Sequence, residues 1–481
     1  GGAIETSGAT ADLNRAHVDA SAPHGKTGSW LIDPTDFVIA ASGGDITGAQ
    51  LSANLGAADV TIQSSSGSGG TAGQILVNDA VSWSAPTTLT LDANTDIVVN
   101  SNVSALGGGS VALIYGGALR FALSDAGPTA SLTFGTGGGL TVNGAAYTLL
   151  RTEADLAQLN ATPNGAFALA NDIALATAYS GAVVPTFSGQ LEGLGHNLSG
   201  LSLSAGAATS GSASNLFLAG ANVAGGTAVN VGALAGTNTG LVYNSGASGA
   251  VGGSGSNLGG LVGSSSGLVQ LGYSAVAVTG ASATSNNVGG LVGFNSGGVV
   301  GGFASGDVQG DDAIGGLVGQ NSGYVNGGSS GFIVGNSAAG GVVGANNAGF
   351  DDFVFNGVDY GPNGAVEGAY GYGGVFGTTQ AGGVVGRNAG TVSFSFFNGP
   401  VSGDTSVGGV VGENTGAISN AYAINAVSGT TNVGGLVGFN AGTVDSSFAL
   451  GAVRGTTNVG GLVGLEGQAS TRTSVSNSYS T

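Results

Sequence analysis

A five-residue phrase, Gly-Gly-Leu/Val-Val-Gly, constrains this chain more than any other feature. It begins at Gly259, Gly289, Gly315, Gly340, Gly382, Gly408, Gly434 and Gly460, and a degenerate GALAG begins at Gly232. The steps between copies are 27, 30, 26, 25, 42, 26, 26 and 26 residues, with a further GGVFG at Gly373 inside the long step. A period near 26 fits one coil of a solenoid, a unit that is stable only when stacked on its neighbours. Each period carries three apolar beats. The first is the Leu-Val or Val-Val pair. The second is a Val or Ile followed four residues later by an aromatic: Val269 with Tyr273, Val299 with Phe303, Val392 with Phe396, Ile418 with Tyr422, Val444 with Phe448, Val475 with Tyr479. The third is a lone Val before a turn: Val278, Val308, Val401, Val427, Val453. Short β-branched runs between Gly, Asn, Ser and Thr read as strands. Glycine at this density opposes helix, at about 1 kcal/mol each relative to Ala. The expected fold is all-β: a parallel β-helix (β-solenoid) with about 26 residues per coil in the C-terminal half.

Before Gly200 the pattern loosens but stays strand-like. ADVTIQSS, GQILVNDAVSW, TTLTLDANTDIVVNSNVSA, GSVALIYGGALRFAL and ASLTFGTGGGLTVNG alternate apolar and polar residues. Residues 1–150 read as irregular coils of the same solenoid. Residues 151–220 read as a transition segment with the one convincing short helix, Thr152 to Ala161. Thr152 is its expected N-cap with Asp155 at N3, and Pro163 and Gly165 end it. Residues 221–481 read as the regular repeat.

Composition narrows the partners. The chain has seven basic residues, Lys26 the only lysine among them, against 26 acidic ones, for a net charge of -19. Phosphate neutralisation needs a basic patch, so nucleic acid is not an expected partner. Disorder is disfavoured because 42% of residues are hydrophobic while only 7% are charged. The absence of cysteine excludes disulfides and thiolate metal sites. The absence of methionine leads to the expectation of a processed product or a fragment. The ending SNSYST stops midway through a coil. Either more polypeptide is expected to follow, or subunits associate head to tail through open coil ends.

Asparagine recurs at one position of the coil: Asn238, Asn295, Asn321, Asn346, Asn388, Asn414 and Asn440, interrupted by Ser265 and Glu466. Asn tolerates the left-handed backbone of tight turns, and stacked amides would form a hydrogen-bonded ladder along the axis. The aromatic series from Tyr273 to Tyr479 reads either as a column stacked inside the coil or as an exposed stripe that stacks on sugar rings. The 42-residue step is the candidate ligand site. It gathers Phe350, Asp351, Asp352, Asp359, Tyr360, Glu367, Tyr370 and Tyr372, together with Phe353 and Phe355, and aromatics beside carboxylates suit carbohydrate or cation contact. Insertions on solenoids usually project from one face, often the binding face. Asp307, Asp311 and Asp312 could hold Ca2+ through oxygen ligands, although the favoured reading is a solvated acidic turn. No metal or other cofactor is otherwise expected.

The repeat VGGLVGFNAGTV resembles the GLUG repeat of large bacterial surface proteins, and the lead-in Phe187 to Ser204 resembles the segment that precedes such repeats. GGAIETSG with Gly25 to Ile39, GKTGSWLIDPTDFVI, resembles the filamentous-haemagglutinin family of two-partner-secreted adhesins. The resemblance implies a right-handed parallel β-helix. It also implies export through an outer-membrane two-partner-secretion transporter, a cell-surface or extracellular location, and attachment to host, glycan or abiotic surfaces in adhesion or biofilm formation. The family's N-terminal secretion domain is not found in the sequence, and this part is expected to sit downstream of it. The expected function is a secreted or cell-surface adhesin without catalysis. The alternatives are a subunit of an extracellular matrix fibre assembling end to end and a polysaccharide-acting β-helix enzyme. Catalytic signatures are weak: His17, His24 and His196 form no HExxH, no GxSxG is present, and Arg387 is the only basic residue between Arg151 and Arg454.

Overall fold

The computed structural model describes residues 2–8, 12–22, 24–65, 73–124, 126–179, 182–203, 208–281, 283–467 and 473–481. Ser204, the last residue of the lead-in stretch, and residues 468–472 of the final repeat lie outside them. The fold is a parallel β-solenoid in two compact units. Unit 1 comprises Gly1–Ala174, Gly189–Leu198 and Ala213–Phe217. Unit 2 comprises Leu175–Ser188, Ser199–Ser212 and Leu218–Thr481.

Unit 1 has three-sided coils. On one side Ala3–Ser7, Ser29–Asp33, Asp59–Gln63, Thr88–Ala93, Ser110–Tyr115 and Leu140–Val142 pair in parallel. The second side stacks Phe37–Ile39, Ile75–Val77, Ile97–Val99 and Leu119–Phe121. The third stacks Val81–Trp83, Val103–Ala105 and Leu132–Phe134. Alternation sends Trp30, Ile32, Val60, Ile62, Leu89 and Leu91 inward, and all are buried. The sequence reading of a single helix is corrected here. A helix at Gly48–Leu55 precedes the expected one, capped by Thr47, whose side chain accepts from Gln50 N. Its buried Leu51 and Leu55 face the core, and its Ser52 hydroxyl accepts from Ser82 N at 2.8 Å, satisfying an edge N–H of Val81–Trp83. Between Thr152 and Ala161 a 3-10 turn, Glu153–Leu156, runs into a short α-helix, Ala157–Ala161, with Thr152 and Asp155 forming the capping box.

Unit 2 holds the regular coils. One side stacks Val262–Ser265, Val292–Asn295, Val318–Asn321, Val343–Asn346, Val385–Asn388, Val411–Asn414, Val437–Asn440 and Val463–Glu466. In the period that begins at Gly408, Val410, Val411, Ile418 and Val427 are buried, so all three beats reach the core; in the next, Leu436, Val437 and Val444 are buried and Val453 is half-buried.

Space, rather than backbone angle, dictates the pentapeptide. At Gly408 a Cβ would lie 2.0 Å from the Val411 carbonyl oxygen, and at Gly409 it would lie 2.1 Å from that of Gly435 in the next coil. At Gly412 it would lie 2.5 Å from the carbonyl carbon of Gln380 in the preceding coil. Three glycine columns therefore let the backbone of adjacent coils close up. The left-handed corner sits two residues before each pentapeptide, at Asn230, Asn257, Asn287, Ala313, Ala338, Gln380, Ser406, Asn432 and Asn458, with φ between 46 and 62°. The Asn members bond to one another where they are neighbours, as Asn257 Nδ2 does to Asn230 Oδ1 at 2.6 Å. The ladder asparagines are not left-handed, so the turn-based reason for them is replaced by the hydrogen bonds described below.

A second left-handed column includes Asn244, Leu271, Phe394, Asn420, Ser446 and Asn477. Phe394 is out of place there, with φ 49° and 62% exposed. A bulky side chain is strained in this region and Asn is not. Phe394→Asn is therefore expected to raise stability by about 1 kcal/mol in denaturant titration, and no gain would show that the ring makes an offsetting contact.

Candidate functional site

From Asn295 to Asn440 the amide ladder is continuous and buried. Asn295 Nδ2 donates to Asn321 Oδ1 at 2.9 Å, Asn321 to Asn346 at 2.8 Å, Asn346 to Asn388 at 2.8 Å, Asn388 to Asn414 at 2.9 Å and Asn414 to Asn440 at 2.7 Å. The two non-Asn positions are rungs too. Asn238 donates to Ser265 Oγ at 3.1 Å and Asn440 to Glu466 Oε1 at 3.0 Å. Most ladder amides also donate to the carbonyl oxygen of the glycine two residues on, as Asn388 does to Gly390 at 3.2 Å.

Asn346 departs from that rule in an informative way. Its partner glycine is Gly364, eighteen residues later, at 2.9 Å. The insertion of the long step thus leaves and rejoins the coil at this one corner. It forms an antiparallel hairpin, Asp352–Phe355 against Val358–Pro362, with a bulge at Phe353/Val354. The reversal is Asn356-Gly357, both at positive φ, the two-residue turn that matches strand twist.

The hairpin does not project freely. Phe353 is buried over Gly298, where a Cβ would lie 2.3 Å from its ring. Leu268, Tyr324 and Ala365 complete this cluster, with Tyr360 and Phe355 against it. Tyr360 meets the Phe353 ring at 5.8 Å. The hairpin is therefore folded down on the coil face.

The eight candidate residues fall into four groups. Phe350, 98% exposed, stands with exposed Asp351, Asp352 and Asp359 on the hairpin, where Asp359 Oδ1 accepts from Gly361 N at 2.9 Å. Tyr360 belongs to the anchoring cluster. Glu367 lies on the coil strand Ala365–Glu367 and accepts from the Tyr324 hydroxyl at 3.3 Å. Burial, and then the Glu367 carboxylate, push the Tyr324 hydroxyl up to about 12. Tyr370 and Tyr372 belong to the aromatic column.

That column runs on the outside of unit 2. Phe396, Tyr422 and Phe448 are half-buried, while their neighbours Phe397, Ala423 and Ala449 point inward and are buried. Ring centroids are 5.2 Å apart for Phe396–Tyr422 and 5.1 Å for Tyr422–Phe448, with planes 5° apart in both. Their faces are covered by one another, so only edges meet solvent and sugar stacking on ring faces is blocked along this run. Where the column has Gly328 instead of an aromatic, the Tyr370 ring lies over the gap and reaches Phe303 at 6.2 Å. Tyr372, 51% exposed, packs edge-on against Tyr370 and Phe396.

Beside the hairpin lies a groove of about 560 Å3 that the sequence reading missed. Pro362 and Asn363 wall one end, and Thr391, Thr415, Thr443 and Ser474 line successive coils. Among the described residues its lining contains no ionisable side chain, and Asn363 Oδ1 is buried without a hydrogen-bond partner. The signal available in sequence was the recurrence of Thr or Ser near each turn, which resembles ordinary turn composition.

The acidic stretch is engaged locally. Asp307 Oδ1 accepts from Phe332 N and Asp311 Oδ1 from Asn336 Nδ2, at 2.9 and 2.8 Å. Among the described residues no group of three or more His, Cys, Asp or Glu is placed to hold a metal ion. No helix of the described residues is long and apolar enough to cross a membrane. The sequence matches no protein-family model and no curated protein.

Proposed function

We propose that this protein is a surface adhesin whose coils carry one recognition site, formed by the hairpin and the groove it walls. The observation that carries the reading is the break at Asn346. There a single corner of an otherwise repetitive array presents Phe350 to solvent and walls an uncharged, hydroxyl-lined groove running along successive coils. Such a lining suits a neutral, extended glycan. Net charge of -19 disfavours uronates and sulfated sugars. The resemblance of Gly25 to Ile39 to two-partner-secreted adhesins supports export through an outer-membrane transporter and display at the cell surface.

An array of neutral, anionic and cationic linear glycans tests this with the wild type, Thr415→Trp, which fills the groove, and Phe350→Ala. The expected result is binding to neutral glycans that weakens at least tenfold, about 1.4 kcal/mol, in both variants. Equal binding by all three proteins would remove the hairpin and groove from consideration, and no binding to any glycan would overturn the ligand class.

A further inference from the structure

Gly189–Leu198 returns to unit 1 through the turn Glu192-Gly193-Leu194-Gly195-His196. The turn is cramped. Leu194 and Gly195 are both left-handed, φ 53 and 72°, and Leu194 is fully buried. A side chain on Gly195 would start 2.0 Å from the Ala130 carbonyl oxygen.

Two buried ionisable side chains flank it. Glu192 is 7% exposed, and its Oε1 accepts from Asn215 Nδ2 at 2.7 Å and from Leu194 N at 3.3 Å. Asn215 also donates to the Leu119 carbonyl oxygen and accepts from Phe121 N, each at 3.2 Å. Glu192 thereby ties the turn to Ala213–Phe217, the other returning segment, and both to the coil strand Leu119–Phe121. His196 is buried, with Nε2 2.9 Å from the Leu132 carbonyl oxygen and Nδ1 3.1 Å from Asp172 Oδ1. Both neighbours are acceptors. Only the protonated ring carries N–H on both nitrogens, so only that form makes both bonds.

We propose that Glu192 forms a proton-held clasp beside His196: protonated, it pins the turn to unit 1, and loss of its proton releases Gly189–Leu198 and Ala213–Phe217. The donors to Glu192 are uncharged amides, which compensate poorly for a buried charge. Burial pushes its carboxyl up to about 8, although the Asn215 and Leu194 bonds pull the other way. The bond from His196 lowers Asp172, keeping it an acceptor. Other ionisable groups do not neutralise Glu192. Tyr147, which feels its charge, is itself pushed up to about 12, chiefly by burial. Arg120 pairs with Asp96 at 2.8 Å, and Arg151 donates to the Gly135 carbonyl oxygen at 2.9 Å. Residues 127–134, 166–170 and 213–217 carry no ionisable side chain. A carboxyl raised on folding stabilises fully below the ordinary carboxylate range and loses that stabilisation as pH rises through 8.

Hydrogen–deuterium exchange of the full chain at pH 6 and pH 9, corrected for intrinsic rates, tests the clasp. Protection of residues 190–197 and 213–217 is expected to fall at least tenfold from the lower to the higher pH, while Ile97–Val99 stays constant. The variant Glu192→Gln is expected to change less than twofold. Equal protection at both pH values, or wild-type behaviour in the variant, overturns the proposal. Should the variant not fold, a carbon-13 titration of the wild-type Glu192 carboxyl decides: titration in the ordinary carboxylate range overturns the clasp, and titration well above it supports the clasp.

Discussion

Asn388→Ala is expected to cost roughly 3–5 kcal/mol of stability, read as a shift of the denaturant midpoint. The side chain donates to Gly390, Asn414 and Ala417 and accepts from Asn346, all inside the core. Its removal leaves the Asn414 amide oxygen without this donor, where water does not reach, and opens a cavity beside it. The exposed Asn398→Ala serves as control and is expected to stay within about 0.5 kcal/mol. A loss below about 1 kcal/mol at Asn388 would mean that the ladder relaxes around missing rungs. Asn388→Asp sharpens the point. A carboxylate can accept from Asn346 but has no N–H for Asn414, so two acceptors would face each other. Its folded-state pKa should be raised, and stability should return as pH falls and the acid regains a donor.

The second large effect is at Gly408. A methyl group there would lie 2.0 Å from the Val411 carbonyl oxygen and 2.7 Å from Gly438 N. Both are backbone atoms fixed by inter-coil pairing, so neither can swing away. Gly408→Ala is expected to cost roughly 3 kcal/mol or to block folding. Gly252→Ala is the counterpart. Its nearest neighbour, the Thr279 carbonyl oxygen, is at 3.6 Å, an ordinary contact. That substitution should be neutral or stabilising by about 0.5 kcal/mol, because alanine restricts the unfolded chain. Similar losses at the two glycines would show that strand propensity, rather than space, governs the repeat.

The coil was legible because it is written many times. Period, apolar beats and recurring Asn all follow from stacking, which places equivalent residues in one column. What was hidden depends on contacts between distant positions or on elements too short to carry a pattern. Phe396–Phe397 is a two-residue strand, so nothing in sequence distinguishes outward Phe396 from inward Phe397. The hairpin's resting place depends on a dent at Gly298, more than fifty residues before Phe353. Helix Gly48–Leu55 stands where the following coil has the strand Val81–Trp83, and its N-cap Thr47 follows no long apolar period. Glu192 sits in a stretch of Gly and Leu with nothing to mark it as buried. The groove combines Thr and Ser from four coils with a wall supplied by an insertion.

The corner at Asn346 has an engineering meaning. The amide reaches the next coil's Asn388 at 2.8 Å although 42 residues separate them, the same distance it keeps to Asn321 across 25. Chain length and coil register are thus uncoupled at this one vertex. Asn321, Asn388, Asn414 and Asn440 occupy equivalent vertices, each followed two residues later by a glycine. A foreign segment whose ends meet within one corner could be spliced at any of them, and the array would become a display frame with one address per coil.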